Sequence, residues 1–286
     1  MWLLLACLSA VFAGLMSITA KLGIKKTDST LATALRTVVV LLFSWLMVLL
    51  NGSGKTIGSI SAHGALFLVL SGLMTGASWL CYFHALQIGD VNKVVPIDKS
   101  STVLAVALSM IFLNESAAPL KIAGMAVLLV GTLLMIDKKM DANGAKDGKY
   151  ILYAVLSAVF AALTSILAKV GMDGIDSTLA TALRTCVVLV MAFMMVFVKG
   201  GQKDIKKIDR RELLFIGISG LMTGASWLCY FAALKDGPVS VVVPIDKLSV
   251  LLTVLFSVFV LKEPMKKKAW IGLALLTAGT LMMALA

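Results

Sequence analysis

The chain has 286 residues, 60% of them hydrophobic and only 14% charged, with a mean hydropathy of +1.00. A soluble domain runs at roughly 45–50% apolar and about 25% charged, so the composition argues against a soluble enzyme, a disulfide scaffold and a disordered chain. It describes an integral membrane protein with room for many spans of about 20 residues each. The net charge of +11, from 26 Lys+Arg against 15 Asp+Glu, has to be sorted by position, because basic residues in membrane loops set orientation.

Five apolar segments are predicted in the first half, near 2–22, 30–50, 64–86, 94–113 and 120–136. A polar stretch follows at 137–149 (DKKMDANGAKDGK), and five more segments fall near 150–170, 178–198, 212–234, 242–261 and 269–285. The two halves are copies. Shifted by 148 residues, the chain aligns with itself without a gap, and about half of the aligned pairs are identical. DSTLATALRT at 28–37 recurs at 176–185, SGLMTGASWLCYF at 71–83 recurs at 219–231, and PIDK at 96–99 recurs at 244–247. This is a duplicated unit: a first repeat over 1–137, a linker over 138–149 and a second repeat over 150–286. Segment 1 lacks a basic leader and has a mid-chain copy, so it is expected to be a retained helix rather than a cleaved signal.

A unit with five spans ends on the side opposite its start, and its copy enters the membrane upside down. The expected architecture is therefore an all-α polytopic membrane protein, ten transmembrane helices arranged as two inverted five-helix repeats. Such repeats are characteristic of secondary transporters, whose sites lie at the repeat interface near the midplane. Of the basic residues, seventeen fall in odd-numbered loops and three in even-numbered ones; six lie in or at the edge of spans (Lys21, Arg36, Lys99, Lys169, Arg184, Lys247). The positive-inside rule puts the odd loops in the cytoplasm and both termini outside. The basic excess is then a topology signal, and nucleic acid is not an expected partner; the lipid bilayer and a small metabolite are.

The layout resembles the drug/metabolite transporter superfamily, specifically its EamA-type members. The resemblance rests on FLNESAAPLKIAGMAVLLVGTLLM at 112–135 and FVLKEPMKKKAWIGLALLTAGTLMM at 259–283. It rests also on AL-x-x-G at 85–89 and 233–237, each followed by a proline, Pro96 or Pro244. It covers nearly the whole chain. It implies ten helices and alternating-access movement of small metabolites across a cell membrane, and names no substrate. Members are usually drawn with both termini in the cytoplasm, the reverse of what the charge count gives here.

Within the spans, Ser71, Thr75, Ser78 and Tyr82 are spaced to lie within about 60° on one helix face, with Trp79 beside them and Gly72 and Gly76 opposite. The second copy is Ser219, Thr223, Ser226, Trp227 and Tyr230. Two readings fit: a hydroxyl-lined cavity that binds and stacks on a polar substrate, or interhelical hydrogen bonding with GxxxG packing. In segments 4 and 9, Asp98 and Asp246 share a face with small hydroxyl residues, while Lys99 and Lys247 point about 100° away. Pro96 and Pro244 are expected in the first turn, with each aspartate beside the positive helix end; the alternative is a titratable carboxylate coupled to transport. Arg36 and Arg184 lie inside spans, where a charge marks a candidate functional site by default, although Arg36 is also within snorkelling reach of the interface, the expected fate of Lys21 and Lys169. An excess of basic groups facing one cavity would favour an anionic or zwitterionic metabolite. Asp28 and Asp176 are expected to cap segments 2 and 7. Glu115 and Glu263 read as caps for the helix that follows each, or as gate contacts. The four cysteines and two histidines show no metal-ligand spacing. No GxxxxGK[ST] motif suggests ATP, and no cofactor is expected. Beside a secondary transporter, a flippase for a lipid intermediate and an intramembrane enzyme are the rival classes; the latter would need clustered His or Ser–His groups that the sequence lacks.

Overall fold

The structure is a computed structural model that describes residues 1–89, 91–135, 149–263 and 265–286. Apart from Lys149, the polar linker lies outside the described residues. Helices make up 86% of the described residues, among which no strand occurs. The helices are α1 (Trp2–Gly23), α2 (Ser29–Asn51), α3 (Ala62–Ile88), α4 (Val91–Lys99), α5 (Ser101–Phe112), α6 (Pro119–Met135), α7 (Lys149–Gly171), α8 (Ser177–Val198), α9 (Arg210–Asp236), α10 (Val239–Asp246), α11 (Ser249–Phe259) and α12 (Lys267–Ala284). Among the described residues, seven stretches are long and apolar enough to cross a membrane: α1, α2, α3, α7, α8, α9, and α10 with α11 taken together; α6 is a shorter apolar helix. The protein is a multi-pass membrane protein.

The predicted segments locate the helices well. Asp28 accepts from the amides of Thr30 (2.9 Å) and Leu31 (3.2 Å), and Asp176 accepts from those of Thr178 (2.9 Å) and Leu179 (3.1 Å). Both cap their helices by satisfying amides that have no partner inside the helix.

Segments 4 and 9 depart from expectation. Each is two short helices, not one, and the prolines are not in the first turn. Pro244 lies inside α10, and Asp98 falls in the last turn of α4, at the negative end of its dipole. A proline has no N–H to donate and its ring crowds the carbonyl four residues back, so the regular ladder fails there. The chain answers with i→i+3 bonds: Lys247 N–H to the Pro244 carbonyl (3.0 Å), Leu248 to Ile245 (2.9 Å) and Ser100 to Ile97 (3.1 Å). Backbone angles at Ser100, Lys247 and Leu248 stay right-handed and helical, so the turn tightens while the chain keeps winding in the same sense.

The chain divides into two compact units, 1–76 with 167–237 and 77–166 with 238–286. Each draws on both sequence halves. In the first, α1 packs along α9, and α2 packs against α8 and α9. Gly220 on α9 lets the backbone come close: a methyl there would sit 2.7 Å from Val39 Cβ. Its repeat mate Gly72 plays the same part on α3, where a methyl would meet Val187 Cβ at 2.8 Å and the Arg184 carbonyl at 2.9 Å. Both contacts use the GxxxG stripes seen in the sequence, which allow close helix approach. In the second unit α6 runs along α12. At their crossing a methyl on Gly131 would lie 2.5 Å from the Leu276 amide nitrogen, so the backbones touch there.

Two caps were unforeseen. Glu115 does not cap the helix after it. Its carboxylate accepts from the amides of Val239 (2.6 Å) and Ser240 (2.9 Å) at the start of α10. Asn114 adopts a left-handed φ of 51° just before it, which turns the carboxylate away from α6. Glu212, in the first turn of α9, accepts from the amides of Lys25, Lys26 and Thr27 and closes the loop between α1 and α2.

Candidate functional site

The second unit holds a cavity of about 190 Å³. Lys99, the last residue of α4, and Lys247, just past α10, both line it. Thr102 on α5 and Thr132 on α6 supply hydroxyl-bearing side chains, and Val95, Leu128, Met135, Val250 and Leu276 complete an apolar wall. Six of these positions form three pairs of repeat mates: 99 with 247, 102 with 250, and 128 with 276. The lysines reach the cavity because the tightened turn after each proline places them at the junction of two short helices. Among the described residues they are its only charged lining residues. Lys247 Nζ lies 3.9 Å from Asp246 Oδ2, at the outer limit of an ion pair. Lys99 makes no ion pair among the described residues.

Asp98 faces elsewhere. Its carboxylate accepts from the Ser157 hydroxyl at 2.8 Å, and Ser78 Oγ donates to the Ser157 carbonyl at 3.1 Å. Neighbours on a helix diverge, and here Asp98 and Lys99 have separate surroundings. Tyr82, the lower end of the same stripe, packs on Ala85, Val94, Tyr150 and Ala154.

In the first unit a different cluster forms around Arg184, which is 1% exposed. Its Nη2 donates to Thr75 Oγ1 at 2.8 Å and its Nε to Ser71 Oγ at 3.4 Å. The guanidinium lies 4.0 Å from the centre of the Phe231 ring and 5.5 Å from that of Trp227, within cation–π range. Nη1 is buried with no partner. Arg184 therefore does not reach for the interface; it is held by hydroxyls and aromatic faces. Its repeat mate Arg36 is half-buried, donates from Nη1 to the Met16 sulfur at 3.5 Å, and keeps a buried Nε without a partner. Ser219 and Thr223 donate to carbonyls of their own helix, Ser226 Oγ donates to the Ser9 carbonyl at 3.1 Å, and Tyr230 meets Phe231 edge-on. Trp79 and Trp227 are half-buried. The Lys169 ammonium donates to the carbonyls of Leu234 (3.0 Å) and Gly237, at the C-terminus of α9, where a cation is favoured.

The hydroxyl stripes are thus divided. Ser78 and Ser226 join helices, Ser71 and Thr75 hold an arginine, and none of them lines the lysine cavity. Sequence reasoning missed Ser9 and Ser157, which sit at matching positions in the repeated SAVFA at 9–13 and 157–161; a polar pair preserved within apolar copies was the available signal. It missed Phe231 under Arg184, and the cavity residues Thr102 and Thr132, which nothing in their local pattern distinguishes. Among the described residues, no group of three or more His, Cys, Asp or Glu side chains is placed to hold a metal.

Comparison with known proteins bears on what this arrangement does. A family model described as the EamA-like transporter family matches residues 1–137 and 148–285. A relative from Sinorhizobium sp, described as an uncharacterized transporter in cobO 3'region, is 45% identical over 132 residues, which is 46% of this chain and 94% of that protein. A solved structure described only as "Crystal structure of protein" superposes with a TM-score of 0.79 at 16% identity, covering 99% of this chain and 97% of that one; that likeness concerns the fold.

Proposed function

Because the chain belongs to the EamA-like transporter family, we propose that it is a secondary transporter that carries a small polar metabolite, anionic or zwitterionic, across the cytoplasmic membrane by alternating access. In this reading ten spans form two inverted five-helix repeats, 1–137 and 150–286, joined by the linker. Counting α4 with α5 and α10 with α11 as single spans gives ten helical passes, which supports the reading. The observation that carries it is the cavity: two lysines related by the repeat line one space, as expected where a site is built from matching elements of two repeats. The drive is a proton gradient or exchange, and Asp98 and Asp246 are the carboxylates available to carry the proton.

Uptake into proteoliposomes tests both parts. Metabolite accumulation should be seen with the purified protein and should collapse in the double variant Asp98→Asn, Asp246→Asn. Uptake that survives the double change removes proton coupling through these carboxylates and leaves the transporter reading standing. Failure to move any member of a metabolite library, in protein shown to be folded, sinks the transporter reading itself.

A further inference from the structure

Several features carry nothing beyond the site already described. The Arg184 cluster has an orphan nitrogen but lines neither of the two described recesses, and the shallow recess at Val39 and Arg210 has nothing to say what covers it. The lysine cavity carries more, because its composition restricts what can fill it.

Among the described residues, two ammonium groups line a space whose other walls are aliphatic or thioether side chains and two threonines, with no carboxylate in the lining. Charges at the edge of a low-dielectric space are poorly solvated and repel one another across it. An anion between them relieves both effects, and forms charge-assisted hydrogen bonds with each. A cation meets like charge, and the carboxylate of Asp246 already lies 3.9 Å from the Lys247 ammonium. A zwitterion gains at its carboxylate and loses at its ammonium, which would have only threonine oxygens to accept from it. The body of the ligand meets Val95, Leu128, Val250 and Leu276, so it is apolar. The space of about 190 Å³ equals roughly six waters at about 30 Å³ each, which suits a short branched or cyclic body.

We infer that this cavity takes a small organic acid: one carboxylate between Lys99 and Lys247, an apolar body against α4, α6, α11 and α12, and no amino group. The inference deepens the proposed function and rests on its choice of this cavity as the substrate site. It narrows the substrate from anionic or zwitterionic to anionic alone.

The test uses three probes that share one branched body: isocaproate, leucine and isopentylamine. Binding is measured by titration calorimetry on the full-length protein in detergent micelles. Isocaproate should bind saturably, leucine at least about tenfold more weakly, and the amine not at all. Lys99→Gln and Lys247→Gln should each weaken isocaproate by about tenfold or more. Lys99→Arg and Lys247→Arg, which keep the charge, should recover part of it. Because all variants share one micelle background, partitioning of the acid into detergent cancels, and unchanged melting temperatures show that the variants fold. Leucine binding as tightly as isocaproate overturns the inference, as does isocaproate affinity untouched by both glutamine variants. Transport is read separately with isopentyl sulfonate, which stays ionised and cannot leak across the bilayer as a neutral acid. Lysine-dependent binding without accumulation of the sulfonate in proteoliposomes upholds the site and removes the transport reading. Accumulation that ignores both lysines does the reverse.

Discussion

Arg184 shows what a single residue can and cannot tell in advance. Its presence inside a span marked it as a position of interest. Its surroundings, Ser71 and Thr75 from α3 with Trp227 and Phe231 from α9, come from distant parts of the chain, and helical periodicity says nothing about which faces meet. A charge this deeply buried depends on the partners it has, and each hydrogen bond to a charged group contributes about 1.5–3 kcal/mol. The repeat mate Arg36 lacks equivalent bonds to Ser219 and Thr223, so the two halves should answer differently to the same change. Thr75→Val leaves a buried Arg184 donor unsatisfied and should destabilise the protein by about 1–3 kcal/mol. Thr223→Val removes only a bond to its own helix and should cost well under about 1 kcal/mol. Thermal unfolding in one detergent, compared between the two variants, checks this; equal losses would mean that the arginine contact contributes nothing.

Among the helices, two features govern the architecture around the cavity. Segments 4 and 9 are each divided after their proline, and Lys99 and Lys247, which line the cavity, lie at those divisions. Glycines at helix crossings permit backbone contact that no larger residue could share. Gly131→Ala should therefore destabilise the α6–α12 crossing by about 1–3 kcal/mol, the usual cost of overpacking, because its methyl would meet the Leu276 backbone. Gly217→Ala, in α9 with nothing near its added carbon, should be neutral or gain up to about 1 kcal/mol from helix propensity. Melting temperatures of the two variants moving together would show that the close approach is not limiting. Segment boundaries and the aspartate caps of α2 and α8 were legible from hydropathy and local side-chain chemistry. The split of segments 4 and 9 was not, because proline is compatible both with a first turn and with a tightened interior turn. The destination of Glu115 was not legible either, since its partner amides lie at the start of α10, in the other repeat.

For the molecule as a whole, the unsettled property is its orientation. Seventeen basic residues in odd-numbered loops place those loops in the cytoplasm and both termini outside, if the positive-inside rule governs here. A single cysteine appended after Ala286, in a chain whose four native cysteines are replaced, should then react with a membrane-impermeant maleimide in intact cells. Labelling only after lysis would put the odd loops outside and align the protein with the habit of its superfamily.

By itself the amino-acid sequence determined the membrane setting, the duplication, the positions of most helices and the family. All of these follow from local hydropathy, capping chemistry or self-similarity, which need no knowledge of the fold. Only the tertiary structure decided which polar groups share a space. A helical spacing fixes the face a side chain lies on, and leaves open what that face meets. Residues 148 positions apart, Lys99 and Lys247, line one cavity, while Asp98 and Lys99, adjacent in the chain, have different partners. Most of the basic residues lie in loops, where the sequence explains them, while the meaning of the Lys99–Lys247 pair depends on the cavity around it.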